Sequence, residues 1–269
     1  MSLSLSTTIQ EQIIQQIDII INRYLERARN SPSSNSGNPF VLALLRDFEP
    51  LIHRLHGMKT SLGSQMEKIA EIIANEKWGR ENVHRNVKVK VNLPKNVFAT
   101  IDSIINELSN AQNLSDYMRE KQQVIDACNN PGDDFEEHIY DFDLVINDVS
   151  NRHIYVLEMK GPDPNTTEVP GAKKRLLSAL AWKYLLHEGT KDIDVQLGIY
   201  YNNKYPRPYK NPKVFTYFNP NKGLLVHDNF WNLLGKNLST FNELVLLFED
   251  YGRNNKERIW NTFSHLIQS

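Results

Sequence analysis

Cysteine is nearly absent from this sequence, since Cys128 is the single cysteine among 269 residues. One thiol cannot form an internal disulfide or a cysteine-based zinc site, which excludes a disulfide-stapled domain and a zinc finger. Long apolar runs are also missing, because no stretch approaches the roughly 18 consecutive apolar residues of a membrane span. The polar segment Met1 to Gln10 lacks a basic start followed by an apolar run, so no signal peptide is expected. These absences predict a cytoplasmic protein in a reducing compartment.

Net charge is also small, with a formal value of -1, which by itself argues against nucleic acid as a partner. The charges are unevenly distributed, however. Asp126 to Glu168 contains eleven acidic and two basic residues, whereas Lys173 to Lys222 contains ten basic and three acidic residues. A basic surface suits a phosphate backbone, and metal ions can mask an acidic one. Near-neutrality therefore does not exclude a nucleic-acid partner.

Hydrophobic periodicity predicts an α/β protein, with a mixed central β-sheet flanked by helices and with extra helices at both ends. Apolar residues recur every three or four positions from Ile9 to Ile20, and valines alternate with polar residues from Val87 to Leu93. Helices are predicted up to residue 30 and at about 40–55, 66–73, 96–109, 115–127, 170–187 and 239–267. Strands are predicted at about 87–93, 139–149, 153–160, 194–201 and 215–218.

The predicted elements suggest three regions. Residues 1–58 form an N-terminal helical region that could serve dimerisation or face a ligand. Residues 59–220 form the α/β core, and residues 221–269 form a C-terminal helical region packed on it. The polar stretch 31–39 and the acidic stretch 129–138 are predicted to be loops, because both are rich in turn-forming residues.

The most informative segment is a predicted hairpin that carries charges along one face. Its strands are Tyr140 to Val149 and His153 to Lys160, joined by a short turn-prone sequence. A turn centred on residues 150 and 151 places Asp143 opposite Glu158, and Asp141 opposite Lys160. Because side chains alternate along a strand, these four charges would share one face.

Carboxylates placed together repel, so such a cluster is costly unless something offsets their charge. A divalent cation between Asp143 and Glu158 would do so, and magnesium prefers one or two carboxylates with several waters retained. Lys160 beside them could orient a water or stabilise charge on a phosphate. The alternative is an ordinary surface salt bridge at the strand ends.

These residues carry a resemblance to a known family. Asp143, followed by Glu158-Met159-Lys160 on a strand–strand–helix–strand unit, resembles the PD-(D/E)xK nuclease superfamily, and most closely its type II restriction endonucleases. The resemblance implies a restriction-endonuclease-like fold in which Asp143 and Glu158 hold the metal with the Met159 carbonyl. It also implies that Lys160 lies next to the attacking water and that Glu67, on an earlier helix, assists catalysis.

One position departs from the motif, because Phe142 rather than proline precedes Asp143. This change leaves Asp141 as a rival for the first carboxylate. Asp143 is preferred, since the apolar run 144–146 follows it directly.

Basic residues after the hairpin are candidates for DNA contact. One group opens the helix after the second strand, where backbone N–H groups can also hold a phosphate. Another is interleaved with tyrosines in the loop 202–213, a mixture that suits phosphate and base contacts. Either segment could instead be a plain solvated surface. The candidate DNA-binding residues are Lys173, Lys174, Arg175, Lys204, Arg207, Lys210 and Asn165.

The resemblance therefore predicts a Mg²⁺-dependent endonuclease that cuts double-stranded DNA at a short specific site. Palindromic DNA is matched by two-fold protein symmetry, so a homodimer is expected. Three alternatives remain: a repair or junction-resolving nuclease of the same fold, a catalytically inactive DNA-binding protein, and a structural helical protein.

Overall fold

The computed structural model describes residues 4–30, 65–111 and 114–261. The chain divides into two compact units, Met1–Ile72 with Ser239–Ser269, and Ile73–Leu238. The predicted region boundaries at residues 58 and 220 stay predictions. The predicted loop 31–39 and the helix at 40–55 lie outside the described residues. No described helix is both long enough and apolar enough to cross a membrane.

Five strands are interspersed with helices along the described part of the chain. The helices are α1 (Thr7–Asn30), α2 (65–78), α3 (Lys95–Ser109), α4 (Tyr117–Asn129), α5 (Glu168–Leu186), α6 (Pro212–Tyr217), α7 (Asp228–Gly235), α8 (Thr240–Asn254) and α9 (256–261). The strands are β1 (Val83–Pro94), β2 (Phe135–Asp148), β3 (His153–Lys160), β4 (Asp192–Ile199) and β5 (Leu224–Val226).

The first unit contains α1 and α8, which pack on each other. The isoleucine stripe of α1 is buried, including Ile13 and Ile17. Polar contacts join its two sequence-distant parts, since the Glu243 carboxylate accepts from the backbone N–H groups of Ser4 and Leu5. The predicted isoleucine face therefore forms core within this unit.

The second unit contains the mixed sheet, and the predicted fold class is confirmed. The strand order is β1-β2-β3-β4-β5, with antiparallel pairs from β1 to β3 and parallel pairs from β3 to β5. Helices α3, α4 and α5 pack together and contribute to a core that includes Phe98, Val156, Leu180 and Leu197. α5 connects the parallel strands β3 and β4, as a crossover helix does.

Two predicted elements differ from the structure. The predicted strand at 215–218 has residue types that favour strands (Phe, Thr and Tyr), but these residues belong largely to α6. The Asn211 side chain accepts hydrogen bonds from the backbone N–H groups of Lys213 and Val214, and Pro212 opens the helix. Asparagine at the N-cap followed by proline is a helix-start signal, which outweighed the strand propensity.

The predicted acidic loop 129–138 is also partly a strand, since β2 begins at Phe135. The cause is its partner, because β1 pairs with β2 over this length and Lys90 forms an ion pair with Glu137 at 2.7 Å. The basic residues of β1 thus allow an acidic segment, which its sequence predicts to be a loop, to pair as a strand. The short strand β5 and helix α7 were not predicted.

Candidate active site

The predicted hairpin register is confirmed along the β2–β3 ladder. Leu144 lies opposite Leu157 and Asp148 lies opposite His153, in the register that places residue 143 across from residue 158. The ladder ends at the pair Leu144 and Leu157. One step further, the Asp143 carboxylate accepts the backbone N–H of Met159 at 2.6 Å. The Asp143 side chain thus binds a backbone N–H that would bind a β2 carbonyl if the antiparallel ladder continued.

Asp143, Glu158 and Lys160 meet at this end of the ladder. The Lys160 Nζ lies 3.8 Å from Asp143 Oδ2 and 3.5 Å from Glu158 Oε2. Glu158 is only 1% exposed, and Arg175 of α5 donates to both of its carboxylate oxygens at 2.8 Å each. Two carboxylates and two cations therefore form one cluster.

Asp143 is held in this cluster at an electrostatic cost. Burial raises the pKa of Asp143 above its ordinary value, and the charge of Glu158 raises it further. Lys160, the N–H of Met159 and Arg175 act in the opposite direction without cancelling the increase. Because the ionised form of Asp143 is disfavoured, an additional positive charge beside it would stabilise that form.

The β1–β2 ladder is also interrupted next to Asp143. The pairs Arg85–Leu144 and Val87–Phe142 flank a missing pair, in which Asn86 would face Asp143. Asn86 has a left-handed backbone, with φ of 52°, and its side chain is exposed. Asparagine tolerates this conformation better than most residues. The break at Asn86 was not predicted, because alternation of polar and apolar residues gives no sign of an interruption in a strand.

Asp141, the rival first carboxylate, lies apart from this cluster. It is exposed and pairs with Lys88 of β1 in the ladder. In the described part of the chain, no ion pair joins Asp141 to Lys160. The geometry therefore favours Asp143 as the first carboxylate.

Glu67, the predicted assisting carboxylate, is half-buried on α2 and belongs to the first unit. The hairpin cluster belongs to the second unit. A role for Glu67 in catalysis stays a prediction.

A metal would have few protein ligands here. Among residues 4–30, 65–111 and 114–261, no group of three or more His, Cys, Asp or Glu side chains could hold an ion. Asp143 and Glu158 form a pair of carboxylates, which is the number that magnesium uses when it keeps several waters. The donor set therefore fits a hard, largely hydrated cation and does not fit an all-protein cage.

The predicted DNA contact at Lys173 is corrected by the structure. Lys173 is 3% exposed, its ammonium is paired with the buried carboxylate of Glu120, and it lies 5.0 Å from the centre of the Phe218 ring. A buried ammonium with these partners cannot reach a phosphate group. The position near a helix start suggested exposure, but this side chain lies on the face of α5 that packs inward.

The neighbouring residues of α5 are more accessible. Lys174 forms an ion pair with Asp102 of α3 at 2.5 Å, and Arg175 binds Glu158. Asn165 is exposed before the helix, where its backbone N–H donates to the carboxylate of Glu168. This contact joins residues three positions apart, and it leaves Asn165 at the surface.

The basic loop 202–213 is tied to the chain that directly follows Lys160. The Tyr209 hydroxyl and the Asn211 amide both donate to the carbonyl of Pro162, and the Asn203 amide donates to Asp163. Three further side chains of this loop, Lys204, Arg207 and Lys210, are exposed. The loop therefore places exposed basic residues on a segment that is tied to the end of β3.

A mixed sheet in which two carboxylates and a lysine meet where the β2–β3 ladder ends is typical of a nuclease of the PD-(D/E)xK type. Residues 5–252 match the family described as type II restriction endonuclease, HinfI. The match covers most of the chain, so this protein belongs to that family and is an endodeoxyribonuclease of a restriction system. No curated protein matches the chain. The expected restriction endonuclease is thus confirmed over the repair-nuclease and helical-structural alternatives.

Proposed function

We propose that this endonuclease uses Mg²⁺ with Asp143, Glu158 and Lys160 to hydrolyse both strands of DNA at a short specific site. The observation that carries the proposal is the meeting of two carboxylates and one lysine where the β2–β3 ladder ends. Two neighbouring carboxylates are expected where the function of a protein requires a bound cation, because the cation offsets their repulsion. A surface salt bridge would not need Glu158 to be 1% exposed.

The proposed ligands of the metal are Asp143, Glu158 and the backbone carbonyl of Met159. All are oxygen donors, which magnesium prefers. When bound, a divalent ion lowers the pKa of a coordinated water and stabilises charge on a phosphoryl oxygen.

Lys160 then has a defined task. Its ammonium lies within 4 Å of both carboxylates, where it can position the attacking water and stabilise negative charge on the phosphate. The water oxygen forms a bond to phosphorus while the bond from phosphorus to the 3′ oxygen breaks. The 3′ oxygen takes a proton, so the products carry a 5′-phosphate and a 3′-hydroxyl.

The basic loop is the proposed DNA-reading element. Lys204, Arg207 and Lys210 are exposed on a loop anchored beside β3, so they can contact DNA that occupies the cluster. Lys174 and Asn165 are proposed to contact the backbone from the start of α5. Lys173 is left out of this surface because it is buried.

Arg207 should contribute to site recognition. Arginine bound to a guanine edge is worth about 1–3 kcal/mol, so Arg207→Ala should weaken binding to the cognate site by roughly 5–140-fold. Fluorescence anisotropy in a Lys160→Ala background keeps the DNA intact, and Lys95→Ala provides an exposed-lysine control. An equal loss on cognate and random duplexes would instead assign Arg207 to phosphate contact.

A homodimer is proposed because two-fold symmetric DNA is cut on both strands by two copies of one site. Sedimentation of the protein, free and with cognate duplex, tests this point. A single copy bound per site would contradict it.

The central experiment incubates plasmid DNA with the wild-type protein and with Lys160→Ala, each with and without Mg²⁺. Discrete fragments that require Mg²⁺ and are lost in the variant are expected, whereas Lys95→Ala should cut normally. Smearing or branch-selective cutting would contradict site specificity. Binding without cutting by every protein would contradict the enzyme and favour an inactive DNA-binding protein.

A further inference from the structure

The Arg175 side chain binds the Glu158 carboxylate. The position of Arg175 in a basic run of the sequence gives no sign of this contact. Its Nε and Nη2 atoms donate to Oε1 and Oε2 at 2.8 Å each. A two-point pair between a planar guanidinium and a carboxylate fixes orientation as well as charge. Both oxygens of Glu158 are therefore aligned by one side chain.

The pair between Arg175 and Glu158 differs from an exposed ion pair because its carboxylate is buried. Glu158 is 1% exposed, whereas the Arg175 side chain is 31% exposed and reaches the site from α5. In the described part of the chain, the cations in contact with Glu158 are Arg175 and Lys160, and Lys160 is 3.5 Å away. Arg175 is thus the closer cationic partner of a buried carboxylate.

We propose that Arg175 is a positioning residue, which acts through Glu158 by holding its carboxylate in the orientation that binds the divalent cation. The inference rests on the proposed function of Glu158. Each carboxylate oxygen has two lone pairs, so Arg175 and a cation can share Glu158. Groups that orient a metal ligand typically change metal affinity or activity by 10–100-fold when they are removed.

This role differs from contact with DNA. An arginine on a phosphate contributes to DNA affinity, and its removal lowers the salt dependence of binding by about one ion. Arg175 directs two donor atoms at Glu158 instead. Its removal should therefore affect the metal site and should leave DNA affinity within about threefold.

The test is a double-mutant cycle on the binding of Mn²⁺ to the DNA-free protein, measured by calorimetry. Arg175→Met should weaken Mn²⁺ binding by roughly 10–100-fold in the wild-type background. In the Glu158→Gln background it should change binding by less than about twofold, because the group through which Arg175 acts has been altered. Arg175→Lys keeps the charge without the two-point geometry and should recover only part of the affinity.

Three results would overturn the proposal: tighter Mn²⁺ binding in Arg175→Met, an equal loss in both backgrounds, or no Mn²⁺ binding by the wild-type protein. Arg253→Met removes an exposed arginine–carboxylate pair and serves as the control. Circular dichroism shows whether each variant folds.

The cleavage assay separates this proposal from the proposed function. A wild-type protein that cuts no DNA would contradict the function, while the cycle would still report whether Arg175 acts through Glu158. A wild-type protein that cuts, with an Arg175→Met variant that loses DNA affinity but keeps Mn²⁺ affinity, would contradict the positioning role alone.

Discussion

Asp143→Asn should lower the rate of DNA cleavage by at least about 10³-fold, because loss of a carboxylate proposed to bind the metal would remove several kcal/mol of transition-state stabilisation. The asparagine oxygen can still accept the N–H of Met159, so the local backbone should be retained. Single-turnover cleavage of plasmid DNA at saturating Mg²⁺ measures the effect. A loss of less than tenfold would contradict the assignment of Asp143.

The same substitution should raise the melting temperature of the metal-free protein. The pKa of Asp143 is raised in the folded state, so stability falls as pH rises from the unfolded-state pKa through the folded-state pKa, and the cost is fully present above the latter. A neutral asparagine removes this cost. Loss of activity together with higher stability would exclude misfolding as the reason.

Asp141→Asn is the matched comparison on the same strand. Asp141 is exposed and lies beyond the cluster, so we expect the cleavage rate to change by less than about threefold and the melting temperature to stay constant. A larger loss of activity in Asp141→Asn than in Asp143→Asn would assign Asp141 as the first carboxylate.

Lys173→Met should destabilise the protein by about 3–5 kcal/mol, because removal of one partner of a buried ion pair leaves an uncompensated charge. The charge left behind is Glu120, which is fully buried and also accepts from Ser115 and the N–H of Asp116. Urea denaturation followed by circular dichroism measures the change. Lys95→Met breaks an exposed pair and should cost less than about 1 kcal/mol.

A second substitution tests the cause. In the double variant Lys173→Met with Glu120→Gln, the buried charge is gone while the amide oxygen can still accept from Ser115 and Asp116. We expect it to recover more than half of the lost stability. A double variant no more stable than Lys173→Met would show that lost packing against Phe218, and not the unpaired charge, is the main cost.

The cluster of Asp143, Glu158 and Lys160 could be predicted because its parts are close in sequence. A turn of a few residues joins β2 to β3, and the period of two along each strand then determines which residues meet. The register, the pairing of Asp143 with Glu158, and the nearness of Lys160 followed from that local geometry.

Residues that depend on helix packing could not be predicted in the same way. The run Lys173-Lys174-Arg175 has one charge sign in the sequence, yet its members lie in three different environments. Consecutive residues of a helix point about 100° apart, and only the elements packed around α5 decide which of them is buried.

The sequence by itself determined the class of fold, the hairpin and the acidic site next to a basic segment, because periodicity and short-range turns follow from local chemistry. Only the tertiary structure decided that Glu120 buries Lys173 and that Arg175 holds Glu158. The two partners are 53 residues apart in the first pair and 17 in the second. No period or local propensity relates such positions, since they meet only when α5 packs onto the sheet and α4.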